Sequence, residues 1–329
     1  MISIPAAEVA KIPHIDAAEL RGRTIPTLSF FVDGKWQIWL PTAVGLIQTS
    51  GKVAEGFYFA KEPELPTDIH LRFLEFIAQR GCWPVVSKLL SGLQDDFFNL
   101  GACVKKFNIL HELKLEQKTS ISRLVATELE YLFGLCRSIF DLLQEMVARQ
   151  WDVVQLADPT ISKKQLPKTF SSIVLKDGAL RTAKEIEQKF NLPLSLSEFY
   201  TRAGPFFQTV RTFRDRFFHG GSRSELIFVT EKGFAVQSNA KPFSEFGIWN
   251  QEHMLPNDLC SLRPAIAHII LETLQVCEDY AETIQSCINY PPPIAPGFHY
   301  FMRGYFNECL LEIERVRDEC GWWEGGDSA

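Results

Sequence analysis

The sequence has no excess of positive charge. Its 34 Lys and Arg are outnumbered by 40 Asp and Glu, for a net charge of −6. That argues against a protein that coats nucleic acid non-specifically, because phosphate neutralisation needs a broad basic face. A small basic site on an acidic body remains open. No uninterrupted apolar run approaches the length that spans a bilayer. The amino terminus, Met1-Ile-Ser-Ile-Pro, lacks the basic region and apolar core of a signal peptide, so none is expected. The eight cysteines (Cys82, Cys103, Cys136, Cys260, Cys277, Cys287, Cys309 and Cys320) never form a C-x-x-C pair and mostly fall within helical patterns. Reduced core cysteines are therefore expected rather than a zinc site. G-x-S-x-G, H-E-x-x-H and the P-loop are all missing. His14, His70, His111, His253 and His299 are scattered without metal-ligand spacing, and neither a metal nor a cofactor is expected. These absences leave a cytoplasmic protein without a membrane segment. Its 329 residues suffice for one large or two ordinary domains.

The organisation that is present changes along the chain. Residues 1–62 read as a β-containing cap, in which 27–32 and 35–40 flank Asp33-Gly34, the strongest short hairpin signal. Its aromatics (Trp36, Trp39, Phe57, Tyr58 and Phe59) either bind something or, in the ordinary reading, pack the cap onto helices. Residues 63–117 read as a helical segment. Thr67 or Asp68 caps a helix that Gly81 stops, and two further helices cover 83–93 and 100–115. Residues 118–290 read as a helical bundle. Its longest helix runs from Ser122 to about Trp151, with Val125, Leu129, Leu132, Cys136, Ile139, Leu143 and Met146 in one stripe. Residues 152–178 read as a long connection. A hairpin is expected over 226–237, and a helix opens at Arg263-Pro264. Residues 291–329 comprise the end of a stiff proline-rich linker and a last helix from His299 to about Cys320. The fold class expected is mainly α: an antiparallel bundle with an N-terminal hairpin cap and a hairpin insertion.

One stretch combines strong donors, a titratable base and a backbone stop: R-T-F-R-D-R-F-F-H-G-G, residues 211–221. Phe206, Phe207, Val210, Phe213 and Phe217 recur at helical spacing upstream, and Gly204-Pro205 should kink or break the chain before them. Gly220-Gly221 supplies a helix C-terminus. Arg202, Arg211, Arg214, Arg216 and Arg223 make this the most basic part of the chain. On the long preceding helix, Glu130, Arg137 and Asp141 share one flank. They form either an ordinary ion pair or a ladder that orients a residue of a neighbouring helix. Arg263–His268 repeats the Arg-to-His spacing, but it lacks the polar neighbour and reads as a chance match.

Arg214-Asp215-x-x-x-His219, followed by Gly220, resembles the motif of the HEPN superfamily. The resemblance covers roughly residues 121–287 and rests mainly on this motif. It implies a helical bundle and a metal-independent endoribonuclease of defence or toxin type, working as a homodimer whose Arg and His meet at the interface. On that reading His219 serves as acid/base, Arg214 stabilises the phosphate, Asp215 orients, and Arg211, Arg216, Arg202 and Arg223 bind RNA phosphates. Single-stranded RNA and an antitoxin or other protein are the partners implied. The alternatives are a non-catalytic HEPN-like module that binds nucleotide, RNA or protein, and a dimerising scaffold.

The chemistry suits these residue types. A base must take the ribose 2′-OH proton, and histidine titrates in the right range. A permanent cation must face the anionic phosphorus centre, and the guanidinium fork matches phosphate oxygens. On a continuous helix, residues five apart point away from one another. Either the helix ends before His219 or a second chain completes the site. A helix C-terminus favours the imidazolium, which suits an acid better than a free base.

Overall fold

The structure, a computed structural model, describes residues 4–113, 121–219, 227–318 and 321–323, with backbone alone at 215–219 and 318. In chain order, helix α1 (Ala6–Val9) precedes strands β1 (Ser29–Val32), β2 (Lys35–Thr42), β3 (Gly45–Thr49), β4 (Gly56–Ala60) and β5 (Ile69–His70). Helices α2 (Arg72–Phe76), α3 (Ser87–Leu113), α4 (Ile121–Gln150) and α5 (Phe170–Val174) follow. A ribbon of β6 (Leu175–Lys176) and β7 (Ala179–Leu180) leads to α6 (Ala183–Phe190) and α7 (Leu194–His219). Strands β8 (Phe228–Thr230), β9 (Gly233–Gln237), β10 (Met254–Leu255) and β11 (Leu259–Ser261) come next. Helix α8 (Leu262–Cys287), strand β12 (His299–Arg303) and helix α9 (Asn307–Asp318) complete the order.

The mainly α bundle expected from the sequence is overturned. The fold is α/β, about 51% helix and 16% strand. There are three sheets: a six-stranded mixed sheet in the order β3-β2-β1-β4-β12-β5, a four-stranded sheet in the order β10-β11-β9-β8, and the two-stranded ribbon. The expected hairpin is present: Asp33 and Gly34 take φ of 50° and 74°, the pair of positive values that a two-residue turn needs. It is the start of the large sheet rather than a separate cap. Strand β12 stands where the sequence predicts the opening of the last helix. Its burial runs unbroken from Tyr300 to Arg303 without period-two alternation, so both faces of the strand are covered. Ile69–His70 pairs with Met302 and Phe301 instead of starting a helix.

Two helical breaks expected from glycine and proline are also absent. Residues 83–93 and 100–115 fall largely on one helix, α3, despite Gly92 and Gly101. A Cβ at Gly92 would lie 3.5 Å from Leu142 Cδ1, so α4 packs against the glycine. Helix α7 runs through Gly204-Pro205, with the exposed Pro205 inside it. In both places packing of an apolar face outweighs local propensity.

The chain divides into two compact units, each assembled from three segments. The first comprises Met1–Asp95, Asp141–Arg202 and Cys277–Asn307. It holds the large sheet, with Phe30, Tyr58, Phe59 and Tyr300 buried. Trp36 packs on Tyr58 at 4.8 Å, one N-terminal aromatic against another within the same sheet. A buried charge cluster joins the sheet to the chain after β4. Arg303 Nε donates to Asp68 Oδ1 at 2.9 Å, and Arg303 Nη2 donates to Asp68 Oδ2 at 2.5 Å. Arg303 also pairs with Glu64 and stacks over Trp36 and Tyr58, 4.9 and 5.4 Å from the ring centres. Tyr58 donates to Asp68 Oδ2 at 2.6 Å, and so does the Leu65 amide at 2.9 Å. In the same unit buried Gln144 donates to Pro167 O and accepts from the Tyr200 hydroxyl, which fixes the connection after α4.

The second unit comprises Asp96–Phe140, Ala203–Val276 and Glu308–Ala329. Here α4 and α7 meet through phenylalanine rings packed at a tilt. Phe133 lies 4.2 Å from Phe213 and Phe140 lies 5.4 Å from Phe207, between ring centres. Phe243, just beyond the four-stranded sheet's β9, closes on Phe213 at 5.6 Å. Among the described residues no helix is long and apolar enough to cross a membrane, and the seven described cysteines are free of disulfides.

Candidate functional site

Helix α7 carries Arg202, Arg211, Arg214, Asp215, Arg216 and His219. Arg202 is exposed and lies in the first unit; Arg211 and Arg214 are half-buried and lie in the second. Arg223 lies outside the described residues, as do the side chains of Asp215, Arg216 and His219. The helix continues unbroken to His219, so the early stop considered from the glycines does not occur. At 100° per residue, Arg214 and His219 leave the axis about 140° apart. They belong to different rows.

The first row is Phe207, Arg211 and Arg214, spaced i, i+4 and i+7. Helix α4 meets the head of this row, where the Arg137 guanidinium sits 5.0 Å from the centre of the Phe207 ring. Three guanidinium-bearing positions are thus gathered along one side of α7. The second row is Gln208, Thr212, position 215 and position 219. Gln208 and Thr212 line a cleft of about 240 Å³ with Thr209, Phe213 and Lys241. Glu130 is half-buried two turns before Arg137. Asp141 accepts from the Phe170 amide at 3.1 Å, at the start of α5. The Arg263–His268 match is not a site: Arg263 is bonded to Glu312 and to the Trp322 carbonyl, while His268 is half-buried against Phe246 and Phe206.

A second constellation, which sequence spacing did not reveal, lies in the first unit. Strands β5 and β12 are neighbours, with His70 opposite Phe301. His299 is two residues before Phe301, so the pleat sends both imidazoles to the same face. Their ring centres are 5.1 Å apart. Glu75, on α2, reaches between them. Its Oε2 is hydrogen-bonded to His70 Nε2 and lies 3.0 Å from His299 Nδ1. Burial works against charge on Glu75, yet the two imidazole contacts hold its carboxyl below the usual range. The trio stands in a cleft of about 460 Å³ shared with Arg72, Arg80, Gln79 and Gln285. Gln79 is buried and clamps the chain that enters β12: it donates to the Ala295 and Phe298 carbonyls and accepts from the Ala295 amide.

No family model, no curated protein and no solved structure matches this chain. Function therefore rests on what these two clusters can do chemically. The α7 cluster offers permanent cations for an anionic ligand. The β5–β12 cluster offers two imidazoles and a carboxylate within reach of one point. The only sequence signal for the latter is the short spacing of His70 and Glu75 across a strand-to-helix turn; His299 is 224 residues beyond Glu75.

Proposed function

We propose that the chain is a metal-independent endoribonuclease, as the HEPN-like motif implies, active as a homodimer at the C-terminal part of α7. The observation that supports this reading is the unbroken helix, with Arg211 and Arg214 in a row that begins where Arg137 stacks on Phe207. One copy cannot turn Arg214 and His219 of the same straight helix onto one phosphate. Two copies meeting at this end can, with Arg214 of one and His219 of the other at each site.

In that arrangement the ribose 2′ oxygen attacks phosphorus while His219 takes its proton. The 5′ oxygen leaves and receives a proton, yielding a 2′,3′-cyclic phosphate and a 5′-hydroxyl. Arg214 stabilises the negative charge that gathers on the phosphoryl oxygens, with Arg211 and Arg216 as further phosphate contacts. Asp215 holds the imidazole four residues on. A defence or toxin role, and an antitoxin partner, rest on the same resemblance.

The test is cleavage of mixed single-stranded RNA in EDTA by the wild type, Arg214→Ala, His219→Ala and an equimolar mixture of the two variants. Each variant alone should be inactive. The mixture should regain about a quarter of wild-type activity, since half the dimers are mixed and each of those has one intact site. Activity retained by both variants would sink the site. A well-folded dimer that binds RNA without cutting it would favour the non-catalytic module. Inactive variants with no recovery on mixing would place both residues in one copy's site.

A further inference from the structure

We propose that His70, Glu75 and His299 form a binding site for one divalent transition-metal ion of the zinc class, with further coordination positions open to the adjoining cleft. One ligand atom from each residue lies within 4.8 Å of the others. Tetrahedral zinc with bonds of 2.0–2.1 Å needs its ligand atoms about 3.4 Å apart, so small rotations of the three side chains close the set. The ligand chemistry also fits. Two imidazoles and one carboxylate suit borderline metals, whereas magnesium and calcium prefer oxygen alone.

The scaffold supports this better than a chance surface cluster would. The two histidines stand on adjacent strands whose register fixes them on one face. Glu75 belongs to the helix that follows β5 directly. The backbone before His299 is gripped by three hydrogen bonds of buried Gln79. A site built on strands and a helix, with its approach chain pinned, keeps its geometry when ligands bind. The Glu75 carboxylate oxygen already lies against a ring nitrogen of each imidazole, so the three ligand atoms converge on one point.

Three protein ligands leave at least one position for water or a substrate oxygen, as in open catalytic zinc sites. That position faces the cleft with Arg72 and Arg80 on its walls. Arg72 is engaged by Glu278, its Nε 3.0 Å from Oε2, which tempers repulsion of the incoming cation. The exogenous ligand that these walls favour is an anion.

The experiment uses the full chain without an affinity tag, stripped with EDTA and desalted. Zn²⁺ binding is followed by calorimetry, and Co²⁺ binding by visible absorption. One equivalent of each should bind, and cobalt should show d–d bands without thiolate charge transfer. His70→Ala, His299→Ala and Glu75→Gln should each weaken binding at least about tenfold, since loss of outer-shell partners alone costs about 10- to 100-fold. His111→Ala should bind as wild type does. Circular dichroism and melting curves check that each variant is folded, and Glu75→Gln keeps shape if the alanines do not. No stoichiometric binding by the wild type, equal binding by the folded variants, or a thiolate band would overturn the assignment. Binding here and RNA cleavage in EDTA are read separately, so failure of one leaves the other standing.

Discussion

The buried pair Arg303–Asp68 gives the most direct test of how the large sheet is held together. Their side chains are 4% and 1% exposed. Removing one partner of such a pair leaves the other charge buried, which costs about 3–5 kcal/mol. The structure places this case at the lower end. Without Arg303, Asp68 keeps the Tyr58 hydroxyl and the Leu65 amide, and Glu64 keeps Lys52 at 3.1 Å. Without Asp68, Arg303 keeps Glu64 and the Val53 carbonyl. Arg303→Met and Asp68→Leu should therefore each cost about 3 kcal/mol, a rise of roughly 150-fold in local opening. The assay is amide hydrogen exchange of β12, whose amides pair with β4 and β5. The β8–β9 hairpin, in the other unit, is the internal control. The double variant should recover part of the lost protection, because no orphan charge remains although the Tyr58 hydroxyl and the Leu65 amide still lack their acceptor. Unchanged exchange in the single variants, or a double variant as open as the sum of the singles, would refute the reasoning.

The same pair sets an acid response. Burial alone would raise the Asp68 pKa, but hydrogen bonds from Arg303, Tyr58 and Leu65 hold it below the ordinary value. Its contribution is thus complete above about pH 4 and lost as pH falls through the lower folded value; β12 protection should drop there in the wild type and not in the double variant. Gly92→Ala should stabilise by about 1 kcal/mol in urea unfolding, since the new Cβ meets Leu142 at ordinary contact distance inside α3. Tyr200→Phe should destabilise by about 1–3 kcal/mol, because the buried Gln144 oxygen loses its donor, and proteolysis of residues 152–169 should quicken.

Features that depend on neighbours in the sequence were legible. The Asp33-Gly34 hairpin, the 228–237 hairpin, the α4 stripe and the start of α8 near Pro264 all follow from short-range patterns. Strand β12 was not legible, because Tyr300 and Phe301 fit a helix stripe as well as a strand until β4 and β5 are placed beside them. The sequence predicts a gap between 93 and 100 and a kink or break at Gly204-Pro205, yet α3 and α7 run through both because burial outweighs a locally poor residue. The candidate sites divide the same way. Arg214 and His219 stand out as a motif within one helix, whereas His70 and His299 are isolated letters until sheet register makes them neighbours.

The placing of β12 between β4 and β5 also bears on synthesis at the ribosome. Those two strands are made early, but the segment that joins them emerges 224 residues after Glu75. At about 5–20 residues per second that is a wait of roughly 10–45 s. Throughout it, the aromatic-rich edge of β4 and the short edge of β5 stay open to other chains, and the hydrogen-bond acceptors around Asp68 lack their arginine. The large sheet is therefore a late product of translation, closed by a strand near the end of the chain. A nascent protein halted before residue 299 exposes a hazard for aggregation, and a chaperone that shields strand edges would be its natural early companion.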